Sequence, residues 1–521
     1  MIGVIAPASE HSVVCEFFEL FKTPWEFYRR DGSYEAALCC GGAEVPETAA
    51  RLTVIYSGSP DPCGAQVGTQ VAVLDKTSSF LPLNGTSVPI YADGVVFGGG
   101  VNASGMCLSQ HGGKTVVRFG YDLFREVRIL LTAGQPAEHA GIPTLELHIQ
   151  ALRDAIVASG VRLVEMPPVP NGFRFIACLT HDLDHPILRT HRFDHTTLGF
   201  LGRATLGSLV RFAKGDLTAR GMLRNWAAVL KLPLVQLGLA RDFWADFDRY
   251  PQLELGAPST FFAIPFSGHP GRNAPKRRGS CYAAAEISDR LLALKTAGCE
   301  IGLHGIDAWC DPASADAELN EIRRVAGQRE IGVRMHWLYY GGQSPEILEH
   351  AGISYDSTIG YNGTIGYRAG TTQVYKPLQT EQLLELPLHV MDTALFYRIH
   401  LGLSHKEAWK RVGGIIDHAV QLGGCFTVNW HDRSIAPERL WGDFYMDLVQ
   451  ELKNNGAWFA TAAQAVAWFR KRRSAEFEPA GESGNVRVKT AAGVGEGLPG
   501  LQLRMHNRAK MCLSVPVGSV V

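Results

Sequence analysis

Phe173-Arg174-Phe175-Ile176-Ala177-Cys178-Leu179-Thr180 runs directly into His181-Asp182-Leu183-Asp184-His185-Pro186. The first part is apolar on both faces apart from Arg174, the pattern of a strand covered on both sides in a parallel sheet. The second part places two carboxylates beyond the strand's carboxyl end, where α/β folds gather their ligands. Side chains alternate along an extended chain, so Asp182 and Asp184 face the same side while the extension lasts. Two like charges in one mouth repel, which calls for a cation beside them or for one acid with a raised pKa. A pair of acids capping a following helix is the alternative reading.

Working outward, the chain after Gly172 alternates strand and helix signals, which predicts a parallel sheet or barrel. Strands are expected at Ser259 to Phe266, Glu300 to His304, Val333 to Tyr339, Ile353 to Ser357, Leu383 to Val390, Phe426 to Trp430 and Trp458 to Thr461. Ser344-Pro345-Glu346 reads as a helix start closed at Gly352, and Thr461-Ala462-Ala463-Gln464 as a capping box for a last helix ending in Arg470-Lys471-Arg472-Arg473.

Residues 1–170 form a separate, smaller α/β unit, with β-like runs at Leu52 to Ser57 and Ser87 to Phe97 and a helix from Thr144 to Ser159 closed by Gly160. Met166-Pro167-Pro168-Val169-Pro170 is its stiff boundary. Within the second unit, 171–473, lies a helical insertion at about 188–258, whose stretch from Arg203 to Lys231 carries Arg203, Arg211, Lys214, Arg220, Arg224 and Lys231 against one acid, Asp216. It reads either as a solvated cover of the barrel or as a peripheral contact with a membrane surface or an acidic glycan. Residues 474–521 are Gly- and charge-rich, a disordered tail or a small β-appendage.

Composition narrows the function classes. Lys plus Arg number 50 and Asp plus Glu 51, a formal net charge of −1, so nothing global draws the chain to nucleic acid. Charged residues make up 19%, below the usual quarter, which argues for burial rather than disorder. The 11 cysteines include no CxxC pair, the first residues show no signal-peptide pattern, and no apolar run reaches spanning length, so a cytoplasmic protein with reduced thiols is expected.

Two further predicted strands end in histidine motifs: Glu300-Ile301-Gly302-Leu303-His304-Gly305-Ile306-Asp307, and Phe426-Thr427-Val428-Asn429-Trp430-His431-Asp432. Imidazole with carboxylate is a ligand set for zinc or a similar divalent ion. Three strand ends bearing Asp, His and His in one α/β unit point to a shared site. His181, His185, His191 and His195 offer an alternative metal cluster.

These motifs resemble those of the polysaccharide deacetylase family (NodB homology, carbohydrate esterase family 4-like) over about Asn171 to Arg473. Ser259-Thr260-Phe261-Phe262 is similar to the family's second strand, and Tyr355-Asp356-Ser357-Thr358 to its aspartate-serine strand. The resemblance implies a distorted parallel (β/α) barrel and a metal-dependent hydrolase removing an acetyl group from a sugar in bacterial cell-surface polysaccharide synthesis. The substrate would be an acetylated glycan or a lipid-linked sugar. By the same resemblance Asp182 is the general base, Asp184 and His304 bind the metal, expected to be Zn2+, and His431 is the general acid. Arg334 is the candidate to orient Asp182, and Asp392 to hold His431.

The sequence departs from the family at two points. The residue four after His304 is Ala308 rather than histidine, and the third motif reads Arg334-Met335-His336-Trp337. Asp307, three residues after His304, is the leading substitute ligand and His336 the second choice. The rival readings are an inactive glycan-binding or assembly protein on the same barrel and a metal-dependent amidase acting on a non-sugar C–N bond.

Overall fold

The computed structural model describes the chain apart from residues 43–48, 59–70, 74–79, 84, 99–103, 112, 192–193, 216, 241, 243, 269–279, 437, 440, 481–484, 492, 507–511 and 517–521. The first unit is built on a six-stranded sheet in the order Trp25–Phe27, Ile2–Ile5, Ala36–Cys39, Leu52–Tyr56, Lys114–Phe119, Met106–His111. Its pairings are parallel except the last. The expected helix runs Thr144–Ala158, followed by Gly160 at a φ of +78°.

The second unit is a distorted parallel barrel. Its strands are β1 (Phe175–Leu183), β2 (Ser259–Ala263), β3 (Glu300–Gly305), β4 (Val333–Met335), β5 (Val390–Met391), β6 (Cys425–Asn429) and β7 (Ala457–Phe459). The hydrogen-bonded order is β4-β3-β2-β1-β6-β5, with β7 beside the start of β1. The expected strands at Ile353 to Ser357 and Leu383 to Val390 enter the wall only through parallel bridges, Val333 to Asp356 and Asp356 to Glu385. Those bridges close the ring. The Asp356 N–H donates to the Leu384 carbonyl, the Leu386 N–H to that of Asp356, and the His389 N–H to that of Thr427 beside β6.

Register decides what faces the barrel interior. Thr180 pairs with Thr260 and Asn429, Asp182 with Phe262, Phe262 with Gly302, and His304 with Arg334. Paired residues of parallel strands point to the same face, so one alternation puts Thr180, Asp182, His304, Arg334 and Asn429 inside. Below them Ile176, Cys178, Phe262, Leu384, Leu386 and Cys425 fill the interior as an apolar floor. The odd-numbered residues of β1, such as Ala177 and Leu179, pack outward into the main core under the helices.

Other parts attach to this ring. The insertion folds as α1 (His195–Gly202), a π-helical turn Arg203–Gly207, α2 (Ser208–Ala213) and α3 (Ala219–Gln236). Between β3 and β4 lies α4 (Pro312–Ala326), and after β7 the expected last helix is α5 (Ala462–Arg473), with both halves of the Thr461–Gln464 capping box formed. The basic end of α5 docks on the first unit. Arg472, wholly buried, donates to the carbonyls of Glu19, Leu20 and Met166, and Arg473 pairs with Glu16 at 2.7 Å. Arg472 thereby satisfies carbonyls at the end of helix His11–Phe21 that have no partner within that helix. The tail forms β-structure: Gln502–His506 pairs with both Cys512–Pro516 and Leu163–Glu165, tying it to the end of the first unit.

Two buried carboxyls, Asp356 and Glu385, lie at the bridges that close the barrel. Burial lifts Asp356 to about 6, and burial with the neighbouring Asp356 charge raises Glu385 well above the usual carboxylate range. Both folded values exceed the unfolded ones, so the fold favours their protonated forms. Stability should therefore fall as pH rises from the ordinary carboxyl range through about 6 and beyond. Glu385→Gln mimics the protonated acid. We expect it to fold and to flatten the fall in Tm between about pH 5 and 8; an unchanged slope would show that the pair does not control it.

Candidate active site

The three strand-end motifs meet at the carboxyl mouth of the barrel. Ligand atoms of Asp184, His304 and His336 lie within 4.8 Å of one another. Asp184 Oδ1 stands 3.2 Å from His304 Nε2 and 3.6 Å from His336 Nε2, and Asp184 Oδ2 is 3.7 Å from His431 Nε2. The His304 tautomer follows from its other nitrogen: Nδ1 contacts the Arg334 carbonyl at 2.9 Å, and a carbonyl only accepts, so Nδ1 carries the proton. In the neutral ring Nε2 then presents a lone pair toward Asp184. The buried Asp184 Oδ1 accepts no hydrogen bond.

A carboxylate oxygen and an imidazole lone pair aimed at each other are relieved by a positive charge between them, a metal ion or a proton; burial opposes a charged His304, but Asp182 and Asp184 outweigh it and raise its pKa. One carboxylate and two imidazoles are the donor set of a divalent ion such as zinc, so the residues present fit the expected metal. Burial opposes charge on Asp184, but His336, His304 and His431 hold its carboxyl well below the usual range.

Asp307, the leading sequence choice for the third ligand, is not in this group, which contains His336, the second choice. Spacing of three residues brings side chains together on a helix, and here the chain is not helical. β3 ends at Gly305, and the N–H groups of Ile306 and Asp307 both donate to the Glu318 carboxylate of α4, at 2.8 and 2.9 Å. That clamp turns the chain away from the mouth. His336 is presented by the opposite device, an abrupt end to β4. Trp337 and Leu338 adopt left-handed φ of 60° and 53°, at roughly 1–2 kcal/mol each. The Trp337 carbonyl is held by Asn362 Nδ2 at 2.8 Å. The strand expected to reach Tyr339 therefore stops at Met335.

Asp182 lies beside the ligand group, its Oδ2 at 3.8 Å from His304 Nε2. Arg334 Nη1 donates to its Oδ1 at 3.2 Å and Asn429 Nδ2 to its Oδ2 at 2.6 Å. The Arg334 guanidinium is wholly buried, bonded also to Thr180 Oγ1 and to Ser357 through both its carbonyl and its hydroxyl, and lies 4.7 Å over the Phe262 ring. That ring needs Gly302 beneath it, since a Cβ there would come within 2.6 Å. Thr180, Ser357 and Asn429 were not singled out by sequence reasoning. Asn429 had a signal, since it stands two residues before His431 and so shares the inward face of β6.

Opposite Asp182, His431 is held by Asp392, whose Oδ1 is 2.6 Å from Nδ1 and whose Oδ2 accepts the His431 N–H. Burial works against a charged imidazole, but the Asp392 carboxylate outweighs it and lifts His431 to about 10. The adjoining Asp432 is pushed up to about 7 by burial and by the Asp184 charge. Asp432 and Arg433 line a cavity of ≈ 290 Å³ beside the site, facing Arg224 and Lys231 of α3.

Among the described residues the alternative histidine cluster is brought together only in part. His181 faces outward, as alternation requires, with Nδ1 on the Trp430 carbonyl and Nε2 on Glu254, both at 2.7 Å. His185 and His191 share a 3.1 Å contact between ring nitrogens, and the side chain of His195 lies outside the described residues. A second grouping, His191, Asp194 and Cys281, uses the Asp194 that caps α1.

No protein-family model matches the chain, and no curated protein matches it. Among solved structures it is similar to a Mycobacterium smegmatis protein described as a polysaccharide deacetylase, at 19% identity and a TM-score of 0.36, over 59% of this chain and 95% of that one. A Pseudomonas aeruginosa protein with the same description matches at 16% identity and a TM-score of 0.36, over 59% and 94%. An allantoinase matches at 14% identity and a TM-score of 0.34, over 58% and 91%.

The geometry makes a testable distinction between ligands. Elemental analysis of the purified protein should find about one divalent ion per chain. Asp184→Ala, His304→Ala and His336→Ala should each weaken metal binding at least about tenfold, while Asp307→Ala should leave it within about threefold. Loss of metal in Asp307→Ala alone would return the third ligand to that residue.

Proposed function

We propose that this protein is a metal-dependent hydrolase that removes an acetyl group from a saccharide, a polysaccharide or its free or lipid-linked precursor. The observation that carries the reading is the convergence of Asp184, His304 and His336 between two separately braced groups, Asp182 on Arg334 and His431 on Asp392. A divalent ion held by those three residues, zinc being the ion that suits them, would polarise an acyl carbonyl and acidify a bound water.

The protein's own groups supply the proton movements. Asp182 takes a proton from the attacking water; Arg334 and Asn429 occupy its oxygens with charge-assisted and neutral bonds that fix its direction. His431 carries a proton at neutral pH and presents Nε2 to the mouth, because Nδ1 is committed to Asp392. It gives that proton to the departing amine or alkoxide. The base and the acid are thus distinct residues, Asp182 aimed by Arg334 and Asn429 and His431 held by Asp392, and acyl hydrolysis requires such a pair.

The test is acetate release from N- and O-acetylated oligosaccharides, with cyclic amides as comparators. Wild-type protein loaded with zinc should release acetate. Asp182→Asn should keep its metal and lose at least about a hundredfold in turnover. Glycan binding without acetate release would identify a binding protein, turnover of amides alone would identify an amidase, and an active Asp182→Asn enzyme would remove Asp182 from the base role.

A further inference from the structure

The insertion carries an outward surface that the catalytic reading does not use. Of twenty-one exposed large apolar side chains among the described residues, eleven lie between Leu198 and Leu239, so they form a cluster rather than ordinary scatter. On α3 they follow one stripe: Leu223, Trp226, Leu230, Leu234 and Leu237 recur at three- and four-residue spacing. Leu230 is 80% exposed and Leu237 72%. The opposite stripe of the same helix, with Asn225, Leu232 and Val235, is the one that is buried.

The helices before it repeat the arrangement. Phe200, Ala204 and Ser208 face inward, while Leu198, Leu206, Leu209 and Phe212 face out, Leu206 at 72% exposure. Asn225 Nδ2 donates to Ser208 Oγ at 2.8 Å, pairing α2 with α3 as a hairpin. Each half therefore has an apolar side against the protein and a second apolar side against solvent. A soluble cover needs only the first.

Charge indicates what covers the second. In sequence the hairpin holds six cations, Arg203, Arg211, Lys214, Arg220, Arg224 and Lys231, against the single acid Asp216, although the chain as a whole has a net charge of −1. Leucine, phenylalanine and tryptophan flanked by lysine and arginine form the composition of helices that lie in the interface of an anionic bilayer. No helix among the described residues is long and apolar enough to cross a membrane, so the hairpin would lie in the surface.

We propose that the α1–α3 hairpin is a docking element for an anionic lipid surface. Its apolar ridge enters the acyl boundary and its exposed cations Lys214 and Arg220 meet the head groups. The same helix carries Arg224 and Lys231 into the cavity beside Asp432 and Arg433, so docking holds the barrel mouth next to the bilayer. This inference does not rest on the catalytic reading, and its test is independent of turnover.

Flotation of the full chain with phosphatidylglycerol–phosphatidylcholine vesicles, against phosphatidylcholine alone, reads it directly. The wild type should float with the anionic vesicles and less so at high salt. The triple variant Leu230→Ser, Leu234→Ser, Leu237→Ser should lose at least about tenfold in vesicle partitioning, with unchanged Tm. Lys214→Glu with Arg220→Glu should abolish the preference for anionic lipid. Failure of the wild type to float, or equal flotation of the triple variant, would overturn the proposal. So would a wild-type dimer in sedimentation velocity that the triple variant converts to monomer without any vesicle binding, which would assign the ridge to a second copy of the chain.

Discussion

A positive charge buried inside a barrel must be compensated where it stands, and Arg334 is such a charge. Removing a guanidinium from water costs several kcal/mol unless its donors are satisfied. Here the side chain meets Thr180 and Asp182 of β1 and Ser357 of the closing segment, two neighbouring parts of the wall. Its backbone meets a fourth group, because the Arg334 carbonyl receives the Nδ1 proton of His304. One residue thus aims the candidate base with its side chain and selects the tautomer of a candidate ligand with its main chain. The closing segment at Tyr355 to Thr358 is short of regular strand hydrogen bonds, and the two bonds from Arg334 to Ser357 help hold it in the wall. Site geometry and barrel closure share a cause.

That sharing explains which parts of the molecule could be read from sequence. The two-residue alternation from Thr180 to Asp184 is local and survives folding, so the common orientation of Asp182 and Asp184 was legible. The strands at Phe173 to Thr180, Glu300 to His304 and Phe426 to Trp430 were legible for the same reason, since their apolar runs end in polar residues. The candidate third ligand was not. Choosing between Asp307 and His336 depends on what each chain does after its strand, and that depends on Glu318 and Asn362, 11 and 25 residues away from the groups they bind. A turn clamped by a distant carboxylate leaves no periodic signal at the turn itself.

The overextended β4 carries the same lesson in another form. Val333 to Tyr339 reads as a strand because its apolar residues suit one, yet the backbone reverses at Trp337 and Leu338 in a conformation that side chains of this size disfavour. Such strain persists where neighbouring contacts over-determine it, and it gathers at sites with a task. Here it turns His336 inward, next to Asp184. Propensity was overridden at the position where the family pattern was also broken, which is why neither signal alone could single out His336.

The insertion shows why charge alone underdetermined its reading. Six cations on a helical segment are equally compatible with a solvated cover and with a lipid-facing surface, and sequence periodicity shows apolar residues on α3 without saying which of them the barrel buries. Only the packed structure separates the two stripes: Leu232 and Val235 go to the protein, while Leu230, Leu234 and Leu237 remain outside. Since a helix face that packs on the barrel is satisfied by one stripe, the second is surplus to folding. Exposing it to water costs about 25 cal/mol for each Å² that could otherwise be covered. A surplus of that kind, repeated on both arms of one hairpin and edged with positive charge, is a property of surfaces that work at an interface.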